Sequence, residues 1–287
     1  MKITVLMPLY NPNKEHLKQS IESILNQSFS DFELLIIDDG STNNAADIVL
    51  SYTDSRIRYI KQDNIGLAAT LNKGINLAET DIIARMDQDD IAHLDRFEKQ
   101  LNFLEKHSDI SIVGSWIKHF PDTKIIKTPE YPDLIDFLNN CAMCHPTVMF
   151  RKSDFFKYDL KYDNSLKTAE DYDLWSRAVR VLKFANIQEV LLDYRIHNSN
   201  MTVTRKNLQH SIEIKIKQNL LKHITRNSKI QKDIIKSLNK NYPLDLTLSE
   251  KIFSIKNKYL YTNKYKILSI LGLTFPISVK NLEEKNV

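Results

Sequence analysis

The chain has 287 residues, 42% of them apolar, and a formal net charge of +4, which is enough for one large α/β domain of about 200 residues and a smaller appendage. No apolar run approaches the roughly 20 residues that span a bilayer, since the longest, 267–277, holds Gly272 and Pro276; the opening stretch carries Pro8 and lacks a cleavage site of small residues, so we expect a cytoplasmic protein rather than an exported one. The charge is uneven: residues 205–287 hold 17 Lys and Arg against 6 Asp and Glu, a net of +11 that leaves 1–204 at −7, so body and tail face different partners.

In chain order, the N-terminal half alternates strand-like and helix-like segments, the pattern of a mostly parallel sheet covered by helices. Residues 5–9 read as the first strand. Leu17, Ile21, Ile24 and Leu25 follow at helical spacing behind Asn13 as a cap. Residues 34–37 are wholly apolar and read as a buried central strand. A weak helix over 45–52, a strand over 57–60 and a helix through Leu67, Leu71, Ile75 and Ala78, opened by Gly66, come next. Residues 81–86 form a fourth strand that runs into an acidic cluster; Leu94, Phe97, Leu101 and Leu104 mark a helix, and 110–117 a fifth strand.

After about residue 120 the alternation gives way to a polar ribbon at 124–127, a helix at 134–138, and a strand at 147–150. A helix over 171–182 and a strand over 190–196 close the body. Beyond 204, stripes at Ile212, Ile216, Leu220, Ile224 and at Ile230, Ile234, Leu238, with Thr247 and Glu250 as a capping box, predict helices. Cys141 and Cys144, followed by His145, spell the CxxCH string of c-type haem attachment. Attachment follows export, and no further ligand stands at zinc spacing, so two reduced, partly buried thiols are expected.

In an open α/β sheet, ligands bind beyond the carboxyl ends of the strands. Here those ends are polar: Pro8-Leu9-Tyr10-Asn11, Asp38-Asp39-Gly40-Ser41 and Asp87-Gln88-Asp89-Asp90. With 5 glycines in the chain, neither GxGxxG nor a Walker loop occurs, so a bound diphosphate needs its charge neutralised by something other than a backbone cradle. Asp87 and Asp89 suit a divalent cation, Mn²⁺ or Mg²⁺, which prefers carboxylate oxygens and bridges to phosphates. Carboxylates at a strand end also cap helices, and from the residues alone both readings stay open. The same holds for Glu170-Asp171-Tyr172-Asp173 at the head of an amphipathic helix, and His197, closing Tyr194-Arg195-Ile196-His197, reads on its own as an ordinary surface or core histidine.

Taken in succession, these segments resemble the family-2 glycosyltransferases of the GT-A fold over about residues 1–200. The matching segments are Met7-Pro8-Leu9-Tyr10-Asn11, Gln27-Ser28-Phe29, Glu33-Leu34-Leu35-Ile36-Ile37-Asp38-Asp39-Gly40-Ser41, Asn64-Ile65-Gly66-Leu67-Ala68 and Ala84-Arg85-Met86-Asp87-Gln88-Asp89-Asp90. His145-Pro146-Thr147-Val148-Met149-Phe150-Arg151 and Ala169-Glu170-Asp171-Tyr172-Asp173-Leu174-Trp175 extend the match. The resemblance implies an α/β GT-A domain over 1–204, with a nucleotide-sugar half (1–118) and an acceptor half (119–204), followed by a basic helical region, 205–287.

It also implies roles. Asp39 would hold the nucleotide base, usually uracil, with Pro8, Tyr10 and Asn11 lining the same pocket. Asp87 would lie near ribose and metal, Asp89 would bind the metal, and Asp171, with Glu170 beside it, would be the catalytic base. Tyr194 to His197 resembles a segment that folds back over the diphosphate, which places His197 as a metal ligand.

The activity implied is an inverting transfer from a UDP-sugar to a glycan or lipid-linked glycan acceptor, in surface polysaccharide synthesis, with no nucleic-acid partner. A nucleotidyltransferase would need a glycine-rich basic loop after the first strand, which Pro8-Leu9-Tyr10-Asn11 does not provide; a non-catalytic nucleotide-sugar sensor is separated by turnover. The tail's lysines, with Phe253, Tyr259, Tyr261, Tyr265 and Phe275, suit an interfacial helix on the inner face of the plasma membrane. They suit equally a lysine-rich face packed on the body or on a second subunit of a homodimer.

Overall fold

The computed structural model describes residues 1–197 and 204–224, together with three strands within 253–278. The chain separates into two compact units: Met1–Phe137 with Cys141–Ile212, and Leu138–Asn140 with Glu213–Val287.

The first unit is built on alternating elements: β1 (Ile3–Leu9), α1 (Lys14–Leu25), β2 (Phe32–Asp39), α2 (Ala45–Leu50), β3 (Ile57–Gln62), α3 (Leu67–Leu77) and β4 (Ile82–Arg85). There follow β5 (Ile91–Ala92), α4 (Arg96–Lys106), β6 (Ile112–Phe120), β7 (Ile125–Ile126), α5 (Leu134–Asn139), a 3-10 turn at His145–Thr147, β8 (Met149–Arg151), α6 (Lys152–Lys157), α7 (Glu170–Ala178) and β9 (Phe184–Arg195). The sheet runs β3-β2-β1-β4-β8-β6-β9-β5, with β7 on β6. Its first four strands are parallel, whereas β8 joins β4 and β6 antiparallel.

Every residue of β1 and β2 is buried, as expected of parallel strands covered on both faces. Side-chain alternation divides β1. Ile3, Val5, Met7 and Leu9 share a core with Leu17, Ile21 and Ile24 of α1 and with Phe97, Leu101 and Leu104 of α4, while Leu6 meets α3 on the other face, so closely that a Cβ on Gly74 would stand 2.2 Å from its Cδ1. Helix α1 starts where expected, because the Asn13 side chain accepts from the amides of Glu15 and His16 at 2.9 and 3.2 Å, filling two of the four donors a helix start leaves unpaired.

Helix α8 (Lys206–Ile224) carries the first apolar stripe of the tail, with Ile216 and Leu220 buried. The expectation of helices throughout the C-terminal region is corrected beyond it. There, β10 (Phe253–Lys256), β11 (Tyr265–Ile270) and β12 (Leu273–Ser278) form an antiparallel three-stranded sheet. The physical reason is legible in retrospect: these runs are rich in Ile, Phe and Tyr, which favour strands, Gly272 falls between the paired Ile270 and Leu273, and Pro276 breaks a helix but is tolerated on an edge strand such as β12. Phe253, Tyr265 and Phe275 therefore lie on strands, not on an interfacial helix. The second stripe (Ile230, Ile234, Leu238), the Thr247–Glu250 pair, Tyr259 and Tyr261 lie outside the described residues. Among the described residues, no helix is long and apolar enough to cross a membrane.

Candidate active site

Strand order reverses between β1 and β4, and it is beyond the carboxyl ends of strands at such a switch that α/β sheets bind ligands. A cleft of about 1190 Å³ opens there, and Pro8, Tyr10, Asn11, Asp39, Asp87, Asp89, Asp171 and His197 all line it.

One wall of the cleft is a set of loops tied to one another. Past the end of β1, the amide of Asn11 donates to Ser41 Oγ at 2.9 Å and its Oδ1 accepts from the Thr42 amide at 2.8 Å; Asn11 does this at φ 43°, a left-handed conformation that asparagine tolerates. Tyr10 is half exposed, with its amide donating to Gln88 Oε1 at 2.9 Å. Asp39, 4% exposed, accepts from Gln62 Nε2 and the Ile65 amide on Oδ1, both 2.8 Å, and from the Gly66 amide on Oδ2 at 2.9 Å. The carboxylate thus sits on the N-terminal end of α3, where the helix favours negative charge. Gly40 makes this approach feasible: it has φ +78°, and a Cβ there would lie 2.7 Å from the Asn64 amide nitrogen, so any side chain is excluded. Asp38 turns inward instead, accepting from the Ser41 amide at 2.8 Å and the Tyr59 hydroxyl at 2.7 Å.

At the end of β4, Asp87, Asp89 and Asp90 each bring an oxygen within 4.8 Å of the others. The capping explanation for these acids does not hold, because β5 follows directly and α4 opens only at Arg96, with Asp95 at its cap position. Their counter-charge is Arg85, 3% exposed and ion-paired with Asp87. Burial acts against the Arg85 charge, but Asp87, with Tyr162 and Asp90 adding to it, raises the guanidinium pKa nonetheless. Behind it, Arg96 is fully buried and donates to the Arg85 carbonyl at 2.7 Å; burial, then the proximity of Arg85, pushes its pKa down to about 9. Asp89 and Asp90 have raised pKa values, first through burial and then through Asp87. His197 Nε2 stands 2.8 Å from Asp89 Oδ2; among the described residues, the group of ligand atoms that lie within 4.8 Å of one another holds Asp90 and not His197. Arg195 holds the cluster from the far strand, its amide donating to Asp90 Oδ1 at 2.9 Å and its Nε to the Asp89 carbonyl at 2.7 Å.

Three oxygen donors of this kind suit Mg²⁺ or Mn²⁺. An observation internal to the site agrees: Asp90 Oδ2 is buried and accepts no hydrogen bond among the described residues, an arrangement that is costly unless something else engages it.

The opposite wall comes from α7. Its N-cap position is Ala169 at φ 56°, which makes no side-chain cap, and Glu170 and Asp171 follow at the cleft. Burial, then Asp171, pushes the Glu170 carboxyl up to about 7. Asp173 faces elsewhere, bridging Arg177 one turn on at 2.8 Å. Cys141 and Cys144 are not disulfide-bonded; burial, then Asp171, pushes the Cys144 thiol up to about 12, leaving it an unreactive wall group.

The strand-end readings therefore converge on one cleft. What they passed over are Asp90 as a third carboxylate, Arg85, Arg195 and the buried pair His145 and Tyr162. Arg85 had a signal, since a charged residue inside a buried strand must find a partner, and Asp90 stood in the acidic run itself; Arg195, His145 and Tyr162 are brought in by distant segments.

A sheet with this order, with a cleft at its switch point and a carboxylate cluster in place of a glycine-rich loop, defines an α/β ligand-binding fold. The chain belongs to glycosyl transferase family 2, whose family model matches residues 4–167, and it is a glycosyltransferase. It is 36% identical over 215 residues to an uncharacterized glycosyltransferase of Methanocaldococcus jannaschii, covering 71% of this chain and 73% of that protein. It is 33% identical over 208 residues to an Escherichia coli UDP-Gal:alpha-D-GlcNAc-diphosphoundecaprenol beta-1,3-galactosyltransferase, covering 68% and 74%. Among solved structures it is similar to S. aureus TarS residues 1–349 in complex with UDP-GlcNAc, with a TM-score of 0.65 at 16% identity, over 88% of this chain and 70% of that one. The fold is GT-A.

Proposed function

We propose that this glycosyltransferase moves a hexose or N-acetylhexosamine from a UDP-linked donor onto a hydroxyl of a glycan or lipid-linked glycan, with inversion, and that Asp171 is the base. The observation that carries the reading is that Asp39, Asp87, Asp89 and Asp171 line one cleft, with buried Asp90 bringing a third carboxylate oxygen to Asp87 and Asp89. UDP as the nucleotide is supported by the relatives, one named for UDP-Gal and one solved with UDP-GlcNAc. A lipid-linked acceptor is supported by the name of the first of these.

Asp39 and the loops at Pro8 to Asn11 take the nucleoside. Asp87 and Asp89, with Asp90 behind them, would hold Mn²⁺ or Mg²⁺, and His197 would orient Asp89 or join the ligand set. Such a cation supplies, when bound, Lewis-acid stabilisation of the departing diphosphate. Asp171 accepts the proton of the acceptor hydroxyl while that oxygen forms its bond to the anomeric carbon. The bond from that carbon to the phosphate oxygen breaks on the opposite face and the electron pair leaves with UDP, so the configuration inverts, as it does when an activated water displaces a glycoside directly.

A positioned base contributes about 10² to 10⁴ in rate. Asp171→Asn keeps the shape and removes the base, so kcat is expected to fall by that order while UDP binding stays within a few fold. Normal turnover by the folded variant, or retained anomeric configuration in the product by NMR, would overturn the assignment.

A further inference from the structure

We propose that His145 touches the transferred sugar, its Nδ1 exchanging a hydrogen bond with a ring hydroxyl while Nε2 is committed to Tyr162. The inference rests on the glycosyltransferase reading of the cleft and extends it to a residue with no role there so far.

The placement follows from the reaction. The sugar ring has to lie between the groups that hold the leaving diphosphate and the base that activates the acceptor, so whatever floors the cleft between Asp87 and Asp171 faces that ring. His145 lines the same cleft as Asp87, Asp171 and the preceding Cys144, and it feels the charge of Arg85, the partner of Asp87.

The imidazole is held for contact rather than left to move. It is 8% exposed, packed against the rings of Tyr162 and Trp175 at centroid distances of 5.6 and 6.0 Å. Nε2 lies 2.8 Å from the Tyr162 hydroxyl. Tyr162 is itself clamped by Asn72, which accepts from its amide and donates to its carbonyl, both at 2.9 Å. Among the described residues, no hydrogen bond occupies Nδ1. Burial, then Arg85, keeps the ring neutral, so one nitrogen donates and the other accepts. The Tyr162 hydroxyl takes either role, and the hydroxyl met by Nδ1 then takes the opposite one. A fixed neutral group of this kind reads a hydroxyl pattern, which is where one hexose differs from another, and a site that loses such a partner is left with an unpaired polar atom.

The test uses the full chain with Mn²⁺ and compares calorimetric Kd values for UDP, UDP-glucose, UDP-galactose and their N-acetyl amines. One hydrogen bond corresponds to about a three- to tenfold change in Kd. His145→Ala is expected to weaken the tightest UDP-sugar by that factor and UDP by less than twofold. Tyr162→Phe, which keeps the packing and frees Nε2, should shift the same ratio in the same direction. One monodeoxy form of that sugar nucleotide should bind wild type and His145→Ala alike, because the partner hydroxyl is already gone. Equal weakening of UDP and UDP-sugar in folded His145→Ala and His145→Asn proteins, or no weakening of either, would contradict the inference. A wild type that binds UDP but gains nothing from any attached sugar contradicts it too, without touching the nucleotide site. Failure to bind any nucleoside diphosphate removes the donor reading and this inference with it.

Discussion

Arg85 shows how much one side chain supports here. It lies at the end of a buried strand, pairs with Asp87, and is the counter-charge for a crowded set of carboxylates. Replacing a buried ion pair as a unit is often harmless, but removing one partner strands the other and costs about 3 kcal/mol or more. Arg85→Met is therefore expected to lower stability by roughly that amount, read as a reduced urea midpoint in EDTA. Asp87→Asn added to it should recover part of the loss, since the stranded charge is then gone. An Arg85→Met protein as stable as wild type would mean that Asp87 is solvated well enough to need no partner. The residue was readable in advance only as an anomaly, a charge in an apolar run. Asp89, Asp90 and Arg195 meet across more than 100 residues of chain, a pairing that spacing along the sequence does not encode.

At the scale of elements, what was legible is what is local. The apolar runs of β1, β2 and β4, each followed at once by polar residues, marked both strands and site, because parallel strands buried on both faces cannot alternate. Strand β9 was half seen: Gln188 and Glu189 are exposed midway along it, where its pairing with β6 shifts register, so only the later part looks like a strand. The two-residue β5 has no pattern of its own and exists because β9 supplies its partner. Helix α3 gives the clearest case of packing overriding propensity. An alanine in place of a mid-helix glycine gains about 1 kcal/mol by propensity, yet at Gly74 the new Cβ would stand 2.2, 2.8 and 3.1 Å from three atoms of buried Leu6. Overpacking of this kind costs about 1 to 3 kcal/mol. Gly74→Ala is thus expected to destabilise the fold by about 1 kcal/mol, and Leu6→Val to offset part of that in the double variant. A Gly74→Ala protein with a raised melting temperature would show that α3 shifts freely on the sheet.

For the molecule as a whole, charge and chemistry make separate demands. The tail's net of +11 would draw it to an anionic lipid surface, at about 1 kcal/mol for each lysine that comes close. Full-length protein is expected to float with vesicles containing phosphatidylglycerol, less so at high salt, and not with neutral phosphatidylcholine. Equal recovery on both would rule the lipid partner out, and a concentration-dependent mass in sedimentation would point to a second subunit instead. In the cleft, carboxylates stand in place of a glycine-rich phosphate cradle. Metal-dependent transfer there is tested by incubating the purified chain with Mn²⁺ and a panel of UDP-sugars and measuring nucleotide release, with and without excess EDTA. Release from one or a few of these donors is expected, abolished by EDTA and restored by added Mn²⁺ or Mg²⁺. Undiminished release in excess EDTA, or no release from any nucleotide sugar by folded protein, would contradict it.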